Sequence, residues 1–489
     1  MLRQGRAEFF LVSHNADVTK FTVLDSYNVN GADVFITEDG QYLVVEPILT
    51  SEAHSTYREM MGQLFYSLDP LSKSDDPVSY IEQHMWREAE DMAIVDSFSK
   101  YFQSLKYYLV RDVIGYGILD VLMKDDDVEE VTAERFDTKV GVIHRRFTEF
   151  NILDTNISFD SAGSMNSYIQ RLVQRSGNSV TAAVPVMDAM TKEGDRITVT
   201  YGHEVSLPGP TIEIRKFTRQ PFTISHVLAF GTLSRIMAAY HWMLFDAKAF
   251  GLIVGETGSG KTTLLNALAG LSNPRWKILT IEETPELKMP HYRWERLVTR
   301  TSPMITHSRY DVSIMDLIRA SLRMRPDIEI VGEVRGREAQ FLFQSAATGH
   351  GGLSTIHGAS AEAALNRLAS DPINIKASQQ MLLWFVMHIT RLKGQDNKFC
   401  RKVVSIKEVV SGIDSVSLHD LFTYDRKAYT YNIVSPEDLV RNSRKVHDAA
   451  RILNVEPRED IEKRLDILTE CMEKKSHREV FSIISRYYS

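Results

Sequence analysis

The sequence predicts an α/β protein whose C-terminal half alternates strands with helices, and three features carry that expectation. From about Thr223 onward, short apolar runs such as G-L-I-V, K-I-L-T-I and I-E-I-V are each followed by a loop and a helical pattern, as in a doubly wound sheet. One run leads into G-E-T-G-S-G-K-T, Gly255 to Thr262, and then into a segment with Leu264, Leu268 and Leu271 on one helical side. Two further runs end in carboxylates, at Glu282-Glu283 and at Glu333.

The first half reads differently. Residues 1–110 form a mixed helical and strand extension, with a hairpin turned at Asp39-Gly40. A helix is expected from Ser51, capped by Thr50 or Ser51, and a long helical stretch from Pro77 to Val113. Residues 111–217 form a smaller α+β domain with strands at E-E-V-T-A, V-G-V-I-H-R and R-I-T-V-T and a helix near Ser161 to Ser176. Asp125-Asp126-Asp127 lacks the glycine and distal glutamate of a calcium loop and reads as a solvated turn. Residues 218–224, around Pro221, are the linker to a domain spanning 225–489. The last helix is expected from near Arg458, with Ile461, Leu465, Leu468 and Met472 on its buried face.

At 489 residues, with 43% apolar and 25% charged residues, the chain has the composition of a globular protein of two or three domains. Cys400 and Cys471 form no C-x-x-C pair, which argues against zinc and for unpaired thiols in a reducing cytosol. The N-terminus has no apolar signal region, and runs such as Met381 to Ile389 are far too short to span a bilayer. Any membrane role is expected through a partner. The net charge of −7 argues against bulk nucleic-acid binding.

The stretch Gly255, Glu256, Thr257, Gly258, Ser259, Gly260, Lys261, Thr262 fits the phosphate-binding G-x-x-x-x-G-K-[ST] pattern, with Thr263 continuing the helix. Its glycines let backbone N–H groups face phosphate oxygens at a helix N-terminus. Lys261 is expected to neutralise β/γ charge and the Thr262 hydroxyl to bind Mg²⁺. Glu282, Glu283 and Glu286, after a strand, suit organising Mg²⁺ and polarising a water. Glu333 stands at the Walker B position, while Glu329 inside that apolar strand is unexpected. Arg319 and Arg323, at i, i+4 spacing, are expected on one helix face, suited to clamping phosphate oxygens.

A segment A-T-G-H-G-G-L-S-T-I-H-G, Ala347 to Gly358, follows Walker B. The four boxes G-E-T-G-S-G-K-T, I-E-E-T-P-E, I-V-G-E-V-R-G and T-G-H-G-G-L-S-T-I-H-G together resemble those of the ATPases of type II secretion, type IV pili and the archaellum. I-G-Y-G-I-L-D-V-L-M, V-I-H-R-R-F, G-D-R-I-T-V-T, I-E-I-R-K-F and S-I-I-S-R-Y-Y resemble its archaeal branch, so the likeness covers most of residues 111–489.

That resemblance implies a RecA-like P-loop NTPase domain at the C-terminus and an ATP- and Mg²⁺-dependent hydrolase. It makes Glu286 the catalytic glutamate, Glu333 the Walker B acid, and Glu283 a metal-shell residue where the family usually has aspartate. His357 is expected at the γ-phosphate, its flanking glycines freeing the strand end to move, and His350 is expected to be structural. Arg196 and Arg215 resemble N-domain arginines that reach the nucleotide, and Arg319 and Arg323 a pair near the phosphates. The implied assembly is a cytoplasmic homohexamer, peripheral at the inner face of the membrane. It would push on a polytopic platform protein and so act on pilin-like subunits indirectly. Alternatives are an archaellum motor, a secretion or DNA-transfer ATPase, and a non-enzymatic ATP-binding scaffold ring.

Overall fold

In a computed structural model, residues 14–67, 76–147, 149–217, 221–300, 311–394, 399–411, 416–474 and 476–488 are described. They divide into two units, Met1–Phe217 and Thr218–Ser489.

The first unit is organised by one nine-stranded sheet. The hairpin expected at Asp39-Gly40 is present as β2 (Ala32–Thr37) and β3 (Gln41–Val45), preceded by β1 (Val23–Val29). Helices α1 (Ser51–Ser67), α2 (Pro77–Asp91), α3 (Val95–Lys100), α4 (Phe102–Val113) and α5 (Asp120–Lys124) follow. Then come β4 (Val128–Ala133), β5 (Gly141–His144), β6 (Leu153–Thr155), α6 (Ala162–Arg175), β7 (Val186–Met190), β8 (Arg196–Thr200) and β9 (Thr211–Arg215). The strand order is β1-β2-β3-β6-β5-β4-β9-β8-β7, with only the β3–β6 pairing parallel. Residues 1–110 thus share their sheet with residues 111–217. Period-two alternation sends Ile197, Val199, Ile212 and Ile214 into a core with Ile169 and Val173 of α6.

The helical stretch expected from Pro77 to Val113 is instead three helices. Ala93 adopts φ +56°, left-handed backbone that ends α2, and a second break falls at Tyr101. The breaks let Met85, Phe98 and Leu105 all reach one apolar cluster with Tyr57, Met60 and Leu64 of α1, which a straight rod could not arrange. Fully buried Arg111 ties α4 to the sheet. Its Nη1 donates to both Glu46 oxygens at 2.9 Å and its Nε to Asp112 at 2.7 Å. Asp125 is buried, not the solvated turn expected. Tyr27 of β1 and Tyr42 of β3 donate to its Oδ2 at 2.7 and 2.6 Å.

The second unit begins with α7 (Ile224–Ala229) and α8 (Arg235–Asp246). Its sheet then alternates with helices as predicted: β10 (Phe250–Gly255), α9 (Lys261–Ala269), β11 (Ile278–Glu282), β12 (Trp294–Val298), α10 (Ile314–Ser321), β13 (Ile328–Val331), α11 (Glu338–Ala347) and β14 (Gly351–His357). Short helices α12 (Ala361–Ala369) and α13 (Ala377–Gln380) lead to β15 (Leu383–Lys393). Six strands run parallel in the order β12-β11-β13-β14-β10-β15, the layout of a RecA-like P-loop domain. Alternate residues of β10 enter two cores, Ile253 with α8 and α9, Leu252 and Val254 with α10 to α12.

Alternation stops there. β15, β16 (Phe399–Ser411), β17 (Val416–Asp425) and β18 (Thr430–Tyr431) form an antiparallel meander, followed by α14 (Pro436–Asn442), α15 (Arg444–Leu453), α16 (Pro457–Cys471) and α17 (His477–Tyr487). The helix expected from Arg458 is α16; it buries Ile461 and Leu468, but Met472 falls past its end and is exposed, and α17 comes after it. Buried Arg464 docks α16 on α8 through Asp246 at 2.7 Å. Among the described residues no helix is long and apolar enough to cross a membrane, and both cysteines are free.

One buried group gives the second unit an acid weakness. His241 of α8 is fully buried against Phe245 and Phe385, and neither ring nitrogen has an aligned hydrogen bond among the described residues. Burial holds its pKa down to about 3, an effect the nearby Leu268 carbonyl only partly offsets. As pH falls through the ordinary imidazole range near 6.5, the unfolded chain takes up this proton and the folded chain does not. Stability contributed by neutral His241 is therefore complete above that range and lost progressively toward about 3. His241→Phe should flatten the decline of Tm between about pH 7 and about pH 4 relative to the parent; equal slopes would contradict this.

Candidate functional site

Parallel strands end at a common edge, and in the second unit that edge collects the chemistry. β10 ends at Gly255, β11 at Glu282, β13 two residues before Glu333 and β14 at His357. Gly255 and His357 are register partners on adjacent strands, so the glycine loop and the histidine start side by side.

The loop is built to hold an anion. Gly258 and Gly260 have φ of +73° and +94°, conformations that strain other residues and turn the peptide groups of the loop. Gly260 is the N-cap of α9 and no side chain caps that helix, leaving its first-turn N–H groups for a ligand. Lys261 is buried at the start of α9, and its Nζ donates to the Glu256 carbonyl at 2.9 Å. Burial lowers its pKa, partly countered by Glu333 and Glu286.

From Lys261 a chain of polar contacts crosses the strand ends. Its Nζ lies 3.3 Å from His357 Nδ1, and His357 Nε2 lies 2.8 Å from Glu333 Oε1. That approach is close without being an aligned hydrogen bond, so Glu333 Oε1 is a buried oxygen still lacking an aligned donor. Arg335 Nη2 donates to Glu333 Oε2 at 2.9 Å, while its Nη1 lies 3.6 Å from Glu283. Burial, then the Lys261 charge, push the His357 pKa down, which favours a neutral imidazole able to donate or accept.

The supporting residues explain otherwise puzzling positions. Glu282 is buried, and its Oε1 accepts from the backbone N–H groups of Glu286 and Leu287 at 2.7 and 2.8 Å, fixing the loop that exposes Glu286. Burial raises the Glu282 pKa even against those donors. Ser354 and Thr355 of β14 donate to the carbonyls of Val331 and Gly332, bracing the turn that carries Glu333. Glu329, unexpected in an apolar strand, is a clasp: Ser321 at the end of α10 and Ser345 of α11 both donate to its carboxylate. His350 lies at the opposite end of β14 from His357, against Thr348 and the Ser345 carbonyl. Gly351 and Gly352, after His350, answer to packing, since a Cβ on Gly351 would lie 2.6 Å from Ile328 and one on Gly352 2.9 Å from the Glu329 carbonyl.

The structure thus brings Lys261, His357, Glu333 and Glu283 together, with Thr262 and Thr263 one step along α9. It does not bring Arg319 and Arg323 onto one helical face. α10 ends at Ser321, Arg323 falls in the turn beyond, and the Arg319 guanidinium packs over Phe341 at 4.5 Å. In the first unit Arg196 and Arg215 are exposed, direct cross-strand partners on β8 and β9, each 3.8 Å from a carboxylate. Arg335, two residues after Glu333, is a site residue that no motif in the sequence marks; it is found through its hydrogen bond to Glu333.

The sequence signature of the family described as Type II/IV secretion system protein matches residues 123–460. An uncharacterized protein of Methanocaldococcus jannaschii is 31% identical over 466 residues, covering 90% of this chain and 82% of its own. The type IV secretion system protein PtlH of Bordetella pertussis is 48% identical over 120 residues, 24% of this chain and 34% of that protein. The Legionella pneumophila ATPase DotB aligns in structure with a TM-score of 0.43 and 15% identity over 75% of this chain and 94% of its own. On the extent of the signature and the Methanocaldococcus relative, the chain belongs to the Type II/IV secretion system protein family.

Proposed function

We propose that this chain is a homohexameric ATPase that powers assembly of a type IV pilus-like filament at the cytoplasmic membrane. The observation that carries the reading is the convergence of Lys261, His357 and Glu333 beside an uncapped helix N-terminus. The phosphates of ATP lie in the Gly255–Thr263 loop, and Lys261 leaves the Glu256 carbonyl to meet β- and γ-oxygens. His357 then faces the γ-phosphate, and Glu286, on the loop fixed by Glu282, takes the proton of the attacking water. Thr262, Glu333 and Glu283 would hold Mg²⁺, which when bound supplies neutralisation of phosphate charge.

Arg196 and Arg215 support a clamp. They are cross-strand partners whose carboxylate contacts are long, at 3.8 Å, so both guanidinium groups can turn to one anionic phosphate. ATP draws the arginines in, and loss of the γ-phosphate releases them, turning chemistry into rigid-body motion. Arg319 and Arg323 act at a subunit boundary. The ring pushes on a polytopic membrane platform protein, which lifts pilin-like subunits. A secretion role is the second reading, favoured by the segment shared with PtlH; the net charge of −7 weighs against DNA as cargo.

Arg196→Ala or Arg215→Ala should slow phosphate release by about tenfold or more while ATP still binds; unchanged turnover would sink the clamp. The task is tested by electron microscopy of native cells carrying Glu333→Gln beside a swimming assay. Thin pili are expected to vanish while swimming persists. Loss of swimming and its filament would assign the same motor to an archaellum instead.

A further inference from the structure

The loop that carries Glu286 is held from two sides, and one of its holders lies on the helix that begins at the phosphate loop. Residues 283–293 belong to neither β11 nor β12, so their buried N–H groups need acceptors outside a strand ladder. The chain alternates there: Pro285, Leu287, Met289 and His291 are buried, Glu286 is exposed, and Lys288 and Pro290 are half-buried. Leu287 and Met289 enter the same core as Leu264, Leu265 and Leu268 of α9.

Three consecutive N–H groups of this loop find side-chain oxygens. Glu282 Oε1, at the end of β11, accepts those of Glu286 and Leu287. Asn266 Oδ1 accepts that of Lys288 at 2.8 Å. Asn266 is buried on α9 among leucines and alanines, and among the described residues its Nδ2 has no hydrogen-bond partner. A half-satisfied buried amide costs stability that an apolar side chain would not, so packing does not account for asparagine at this position. The bond to Lys288 does. Farther along, the Ser272 hydroxyl donates to the Ala269 carbonyl at 2.7 Å, which leaves His291 Nε2 to donate to Ser272 Oγ at 3.1 Å. Glu282 thus fastens the loop to the sheet, while Asn266 fastens it to α9 and His291 to the turn that follows that helix. Glu286 is near enough to Lys261, at the first turn of α9, to favour the charged lysine.

We propose that Asn266 is the positioning residue for Glu286: by holding the Lys288 N–H, two residues on, it fixes Glu286 relative to the helix on whose N-terminus the phosphates rest. Asn266 lies five residues beyond Lys261, about 7.5 Å along α9 from the phosphate end. Its loss therefore misplaces the base without weakening the grip on phosphate, and small misplacements of a reacting group cost rate steeply. The inference rests on the reading of Glu286 as the group that takes the proton of the attacking water.

Steady-state phosphate release by the purified full chain across ATP concentrations tests this, beside calorimetric titration with the non-hydrolysed analogue AMPPNP. Asn266→Leu is expected to lower kcat about tenfold or more, while KM for ATP and the affinity for AMPPNP stay within about twofold of the parent. The retained AMPPNP binding also shows that the variant is folded. In a Glu286→Gln background, Asn266→Leu should lower kcat no further, because the base it positions is already gone. Parent-like kcat in Asn266→Leu, a loss of AMPPNP affinity that matches the loss of kcat, or a full further loss in the double variant overturns the positioning role. Parent-like turnover by Glu286→Gln overturns the reading of Glu286 on which it rests.

Discussion

The parallel register of β10 against β14 is the constraint on which the rest of the site depends. It sets Gly255 beside His357, so the glycine loop and the histidine leave the sheet at the same level. β13, paired to the other side of β14, delivers Glu333 one strand further along the same edge. Within that arrangement Lys261, at the first turn of α9, needs only to extend its side chain to meet the imidazole. A slip of one residue in either pairing would turn alternate side chains to the wrong face and separate the lysine, histidine and glutamate.

Charge is managed around that edge by burial as much as by pairing. Lys261 and His357 are both pushed toward neutrality by desolvation. Burial raises the Glu282 pKa, and two backbone donors tie its carboxylate to the loop that carries Glu286. Glu329 performs the same service one strand away, clasping α10 and α11 through two serines. Two acids therefore hold the frame, while Glu333, Glu283 and Glu286 stand where they can meet a ligand. Glu333 Oε1, like Glu282 Oε2, is a buried oxygen without an aligned donor, and its place beside His357 invites a metal shell or water.

Much of this was legible in the sequence because local rules governed it. G-E-T-G-S-G-K-T carries its own backbone requirements, and apolar strands ending in acids place those acids at one sheet edge. The helical run from Pro77 to Val113 was misread because nothing local signals that Ala93 adopts a left-handed conformation; the apolar cluster that selects it is tertiary. Asp125 was misread for the same reason, since its partners Tyr27 and Tyr42 are remote in sequence. The meander β15–β18 escaped because half-buried antiparallel strands and fully buried parallel ones both read as apolar runs. Asn266 could not be found by spacing at all, since only the packing of the Glu286 loop on α9 brings Lys288 to it.

On the proposed function, this strand edge binds ATP and hydrolyses it, with Glu333 acting after binding. The direct measurement is steady-state phosphate release by the purified full chain, with nucleotide occupancy followed in parallel, for the parent and Glu333→Gln. The parent is expected to turn over, and Glu333→Gln to retain bound ATP while its turnover falls about a hundredfold or more. Parent-like phosphate release by Glu333→Gln, or none by the parent, would contradict it.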